Sequence, residues 1–280
     1  MSRVLVPYDR SEQARYALEH ATGTFDPETL VLLHVVEPTA DYSGVGGYDH
    51  AGEFERAEEL LEEVCESCDD PERVETAVRY GRPIHGILTH IDEANVDHVV
   101  IGSHGRDGAA RLLLGSVAET VGRRSPVPVT VVREPQPSRT PESVLVPFDA
   151  STQACRALDH ALDRFPAAGV TALYVEHPPT AHVTDVDPGE GLEDWSDERA
   201  DHARTVLAGA EELATERDRT VHTRAVTGTP ADAIVEYAEQ EAVDHVVVGS
   251  TGREGAARLL LGSVAETVIR RSPVSVTVAK

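Results

Sequence analysis

A chain of 280 residues, 40% of them apolar, is long enough for two domains of about 140 residues, each with its own core. Apolar runs such as LVLLHVV (30 to 36) fall far below the roughly 18 residues a membrane span needs, and the opening MSRVLVPYD has no apolar signal region, so a soluble cytoplasmic protein is expected. The formal net charge is −24, with Lys280 the one lysine among 25 basic residues; this excludes nucleic acid and anionic membrane as natural partners, because both are held by basic patches.

Along the chain, strand and helix signals alternate. VLVP (4 to 7) is a short apolar run, Ser11 caps the helical stretch EQARYALEHA, and LVLLHVV is a continuous apolar strand of the kind buried on both faces. A helix from about 51 to 67, a strand VETAV (74 to 78) and a helix from Pro83 or Ile84 to about 93 follow, Pro83 suiting a first turn. Then come the strand HVVIG, a glycine-punctuated loop, a helix from Ser116 to Arg124 and a last strand VPVTVV (127 to 132), in which Pro128 lacks a ladder donor and so suits an edge. Five strands joined by helices predict an α/β fold: a parallel, doubly wound sheet with right-handed crossovers and helices on both faces, its function at the carboxyl ends of the strands.

The chain then repeats itself. Residues 102 to 132 and 249 to 279 align over 31 positions and differ at five; the starts match as well, VLVPYDRSEQARYALEHA against VLVPFDASTQACRALDHA. The offset grows from 140 to 147, so the second copy carries seven extra residues between 177 and 226. The polar, proline-rich REPQPSRTPE (133 to 142) reads as a linker, giving domains 1–137 and 138–280.

The chemistry-bearing segment is Gly102-x-x-Gly105, nine residues, Gly115-Ser116, repeated as Gly249-x-x-Gly252, nine residues, Gly262-Ser263. Gly102 ends a strand where a side chain would block a ligand over the sheet edge, while Gly105 and Gly115 permit positive φ and close backbone approach. Ser116 opens a helix, so its N–H, hydroxyl and helix dipole point where a phosphate fits, though a plain N-cap explains it too. Arg106 and Arg111, with Arg253 and Arg258, are candidate phosphate partners. Asp9 and Asp149 end the first strand of each copy and face the loop, placed for a ribose hydroxyl or adenine amine; an Asx turn is the alternative.

Together these residues resemble the universal stress protein family, over essentially the whole chain as two tandem domains. The resemblance implies two Rossmann-like domains, each a five-stranded sheet in the order 3-2-1-4-5, and ATP as ligand with Mg2+ carried by the nucleotide. It places Asp9 at the ribose and adenine, the backbone of Val35 at the adenine, and Gly102, Gly105, Gly115 and Ser116 at the phosphates. The equivalents are Asp149, Val175, Gly249, Gly252, Gly262 and Ser263, hence two ATP sites per chain. The copies differ at His104 against Thr251 and His34 against Tyr174. The resemblance also implies an intramolecular pseudo-dimer through the last strands, a possible homo-oligomer and a protein partner not named by the sequence.

No catalytic group is legible: there is no GxxxxGK[ST] lysine, no nucleophile with a paired base and no general base aimed at a phosphate. A regulatory ATP-binding protein with a stress-response role is therefore expected. An adenylyl- or phosphotransferase on the same fold, and a nucleotide-free interaction module, are the alternatives. No metal site is expected, since the 13 histidines show no HxxxH or HExxH spacing, and Cys65 and Cys68 end a helix without a second pair. Trp195, in the acidic EGLEDWSDERAD, is expected at the edge of a solvated helix start. Multimolar salt shortens the Debye length to about 3 Å or less, so a halophilic cytoplasm accounts for the acidic composition.

Overall fold

Val4, Leu5 and Val6 are completely buried in the computed structural model. Successive strand residues face opposite sides of a sheet, so the strand they form, β1 (Arg3–Pro7), is covered on both faces. The structure describes residues 2 to 38, 50 to 104, 114 to 133, 140 to 177, 192 to 250 and 261 to 280. These divide into two units, Met1–Thr140 and Pro141–Lys280.

In the first unit β1 leads to α1 (Glu12–Phe25), β2 (Thr29–Val36), α2 (His50–Glu66), a 3-10 turn, β3 (Val74–Tyr80), α3 (Pro83–Glu93), β4 (His98–Gly102), α4 (Ser116–Arg124) and β5 (Val129–Val132). All pairings are parallel and the order is β3-β2-β1-β4-β5. The second unit repeats it with β6 (Ser143–Pro147), α5 (Thr152–Arg164), β7 (Gly169–Glu176), α6 (Leu192–Thr215), β8 (His222–Thr227), α7 (Pro230–Gln240), β9 (His245–Gly249), α8 (Ser263–Arg271) and β10 (Ser275–Ala279), in the order β8-β7-β6-β9-β10. Each unit is thus the doubly wound parallel sheet that the alternation of elements predicts, in the order 3-2-1-4-5 that the family resemblance implies. Its topological switch lies between the first and fourth strands, whose carboxyl ends diverge into helices on opposite faces.

Local chemistry sets the helix ends. The Ser11 hydroxyl accepts the Ala14 N–H at 3.1 Å and the Ser151 hydroxyl that of Ala154 at 3.2 Å, so the same cap opens α1 and α5. Pro83 and Pro230 occupy the first turns of α3 and α7, where no backbone donor is needed. In α6 the buried set Ala203, Val206, Leu207, Ala210 and Ala214 falls on one helical face. This helix has 24 residues against 17 in α2, and those two extra turns take up the seven-residue surplus of the second copy.

Two details at the amino end of each sheet recur. His98 and His245, 1% and 0% exposed, bring Nε2 to 2.8 Å from the hydroxyls of Thr130 and Thr277 on the neighbouring strand. Their rings lie against Phe25 and Phe165, at 4.5 and 4.8 Å between centroids. These are polar pairs built into a core. Pro128 stands just before β5 with its carbonyl accepting the Val99 N–H at 3.0 Å. Its missing donor therefore faces β4 ahead of the ladder and is not the reason β5 stands last in the order of its unit, though that position is the one the sequence suggests. Among the described residues no helix is long and apolar enough to cross a membrane.

Candidate functional site

The turn from β1 into α1 builds one wall of the site. Asp9 follows the strand, its Oδ1 accepts the Ser11 N–H at 3.0 Å, and Arg10 between them takes φ 67°. Asp149, Ala150 and Ser151 repeat this, with the same 3.0 Å bond and φ 60° at Ala150. The Asx turn is thus present in both copies. It holds one carboxylate oxygen while Asp9 as a whole borders a cavity of about 1330 Å³ at the carboxyl end of the sheet.

The second wall is the end of β2. In a parallel strand alternate residues turn their N–H and C=O toward the same neighbour. Leu33 accepts from Tyr8 on the β1 side and Val36 accepts from Gly81 beyond the end of β3, so Val35 turns its backbone pair toward β1. The register with β1 ends at Pro7 opposite Leu33, which leaves that pair facing the space beside Asp9. Val175 has the same setting, between Leu173, which accepts from Phe148, and Glu176, which accepts from Gly228. His34 donates from Nδ1 to the Tyr8 carbonyl at 2.7 Å, which fixes its ring on the cavity wall; its counterpart Tyr174 instead sets its ring edge against His202, 5.9 Å away.

The third wall joins β4 to α4. Gly115 is the N-cap residue of α4 and Ser116 its first helical residue, so the sequence alternative of Ser116 as the cap is not what forms. The Gly115 carbonyl takes the Glu119 N–H at 2.9 Å. The N–H groups of Ser116, Val117 and Ala118 precede the first intrahelical bond and point out of the helix end. The Gly115 N–H donates to the Ser103 carbonyl at 2.7 Å, and Gly262 to Ser250 at the same distance, closing the base of the loop.

Two glycines have other work than the sequence suggests. Gly115 has φ −68°, so it needs no left-handed conformation; a Cβ there would lie 3.1 Å from the His104 Cα, so of the two roles read from the sequence it is close backbone approach that favours glycine. A Cβ at Gly102 would lie 2.7 Å from the backbone carbonyl of Gln13, and at Gly249 the same distance from that of Gln153. Those positions admit the first turn of the helix that follows the first strand; they are helix-to-strand contacts before they are ligand contacts.

Asp9, Val35, Gly102, Gly115 and Ser116 thus border one cavity. Gly105, Arg106, Arg111, Gly252, Arg253 and Arg258 lie outside the described residues, as does the side chain of Trp195. Sequence reasoning passed over Arg10, Arg82, His85 and Arg124, which border the same cavity. The available signal was Pro83: a proline that starts a helix directly after strand 3 places its neighbours at the carboxyl edge. Cys65 and Cys68 are apart from the site, at the end of α2, where their thiols lie against the carbonyls of Pro71 and Val64 at 3.7 and 3.4 Å. Burial raises the Cys68 thiol above its ordinary pKa, the opposite of a redox-active cysteine.

Comparison with known proteins agrees with this architecture. The Universal stress protein family signature matches residues 1–133 and 141–280. A universal stress protein of Mycobacterium tuberculosis is 30% identical over 269 residues, 90% of this chain and 87% of that one. The crystal structure of a universal stress protein from Archaeoglobus fulgidus superposes with a TM-score of 0.70 at 29% identity, covering 99% of this chain and 96% of that one. A universal stress protein solved in complex with cAMP is 28% identical over 50% of this chain and 97% of its own, with a TM-score of 0.36. With two complete domain matches and relatives of the same tandem length, the chain belongs to the universal stress protein family.

Proposed function

We propose that each unit binds one ATP, with Mg2+ carried by the nucleotide, and that the chain is a regulatory ATP-binding protein and not an enzyme. One observation carries this reading: the open backbone of Val35, the Asp9 carboxylate and the N-terminal N–H groups of α4 border a single cavity at the topological switch. The adenine edge meets Val35, the ribose meets Asp9, and the phosphates meet Ser116 and the helix dipole, where anions are stabilised by about 0.3–1 kcal/mol or more. In the second unit Val175, Asp149, Gly249, Gly262 and Ser263 take those parts, and Gly105, Arg106, Arg111, Gly252, Arg253 and Arg258 complete the loops. The residues present fit such a nucleotide, because each of its three parts meets a group of matching chemistry.

Calorimetric titration with ATP, AMP, FAD and NAD in high salt tests the reading. Two equivalents of ATP, turned over more slowly than about one per minute against a usual enzyme rate of about 10 per second, are expected. Multiple turnover with an acceptor would make the chain an adenylyl- or phosphotransferase. Absence of nucleotide binding, unchanged by Gly115→Val with Gly262→Val, would leave an interaction module.

A further inference from the structure

The two units do not place the same side chains at equivalent positions around this region. In the first unit Arg82 precedes Pro83 at the start of α3, His85 sits in the first turn, and Arg124 ends α4; all three are exposed and border the cavity that holds the Asp9 and Ser116 walls. None of the three has a hydrogen-bond or ion-pair partner among the described residues. They stay unpaired although Asp9, Glu37 and Glu53 border the same cavity, in a chain with 49 acidic residues against 25 basic ones.

The second unit has the same backbone and a different charge. Position for position along α3 and α7, Arg82 is replaced by Thr229 and His85 by Asp232. Arg124 has its counterpart in Arg271, and there the guanidinium is ion-paired to Asp232. That pair shows that the last turn of α8 reaches the first turn of α7, and hence that Arg124 and His85 stand at positions within reach of each other. At the turn after the first strand the contrast repeats: Arg10 in the first unit, Ala150 in the second, with nearly the same backbone.

We infer that Arg82, His85 and Arg124 form an anion subsite in the first unit, and that the second unit has cancelled it through Asp232. Resting on the proposed nucleotide reading, this makes the two sites unequal. The first takes the polyphosphate form of the nucleotide, whose extra charge lies across the cavity from these groups while its phosphates rest at the Ser116 end of α4; the second discriminates little between ATP and AMP. Exchange of two basic groups for a neutral and an acidic one, acting on two extra ligand charges across a solvated gap, gives about a tenfold difference in the ATP-to-AMP affinity ratio at moderate salt.

The test exchanges the charges between units. Positions 82, 85, 229 and 232 are exposed, so the double variants Arg82→Thr with His85→Asp and Thr229→Arg with Asp232→His leave the cores intact. ATP, AMP and inorganic tripolyphosphate are titrated into the full-length protein and both variants in the same buffer. The expected result is two ATP classes, only one preferring ATP over AMP; the first exchange abolishes that preference and the second confers it on the other class. One equivalent of tripolyphosphate binds to the unmodified chain, and the first exchange weakens it about tenfold or more. Equal ATP-to-AMP ratios in both classes, insensitive to either exchange, overturn the subsite and leave nucleotide binding standing. Tripolyphosphate binding lost in the first exchange, without any nucleotide binding, would instead sustain the subsite and overturn the nucleotide reading. Silence of all three ligands overturns both.

Discussion

At the scale of single residues, the glycines separate what the fold needs from what the site needs. Gly102→Ala would force a Cβ to within 2.7 Å of the Gln13 backbone, where nothing flexible can give way, so α1 or β4 must shift. A cost of about 1–3 kcal/mol is expected, read as a lower urea midpoint, with Gly249→Ala behaving alike. Gly115→Ala meets its nearest backbone atom at 3.1 Å and is the milder change in stability, while it crowds the base of the loop. The buried histidines are the other residue-scale lever. Burial lowers the pKa of His20 and of His160 to about 4, Arg164 adding to the effect at His160. Each is therefore neutral when folded and protonated when unfolded between about pH 6.5 and pH 4. In that window the unfolded chain binds more protons, so stability falls as the pH is lowered, by roughly 1.4 kcal/mol per pH unit for each histidine. The double variant His20→Leu with His160→Leu should flatten the pH dependence of unfolding between those limits, and an unchanged slope would show that carboxylates alone set it. Sequence could mark the glycines as necessary but not say why. The reason at Gly102 is a helix start that crosses the strand end from 89 positions away, between Gln13 and Gly102.

Elements were the most legible level, because their signals are local. Capping serines, first-turn prolines and apolar periodicity placed every strand and helix of the first unit, and α4 runs over the residues its sequence marks. Departures occur where a tertiary partner decides the boundary. β5 begins at Val129 because Pro128 cannot donate toward β4, and β3 continues to Tyr80 because β2 still pairs with it at Val36. Val35, by contrast, becomes meaningful only through register, once β1 is seen to stop opposite Leu33. The turn between the first strand and first helix offers a test at this scale. Ala150 holds φ 60°, a conformation that disfavours any residue with a Cβ. Ala150→Gly should raise stability by about 0.5–1 kcal/mol after glycine's extra chain entropy is counted. Ser151→Ala, which removes the cap on Ala154, should lower it by about 1 kcal/mol. Opposite shifts in denaturant midpoint from neighbouring positions would isolate the turn from general effects of substitution.

At the scale of the whole molecule the net charge of −24 acts on stability in a way that no single contact expresses. The ion pairs seen are mostly exposed, as between Arg56 and Glu53 with side chains 60% and 43% exposed, and such pairs contribute about 0–1 kcal/mol each in water and less as salt rises. Self-repulsion among unpaired carboxylates is screened by the same salt. The two effects therefore oppose each other, and the excess of 49 acidic over 25 basic residues decides the sign, since 24 carboxylates have no cation to balance them one for one. Raising KCl from about 0.1 M to about 3 M, which shortens the screening length from about 10 Å to below about 3 Å, should raise the thermal midpoint by about 10 °C or more. A midpoint that stays level or falls over that range would mean that the ion pairs outweigh the repulsion, and the acidic composition would then need a cause other than adaptation to salt.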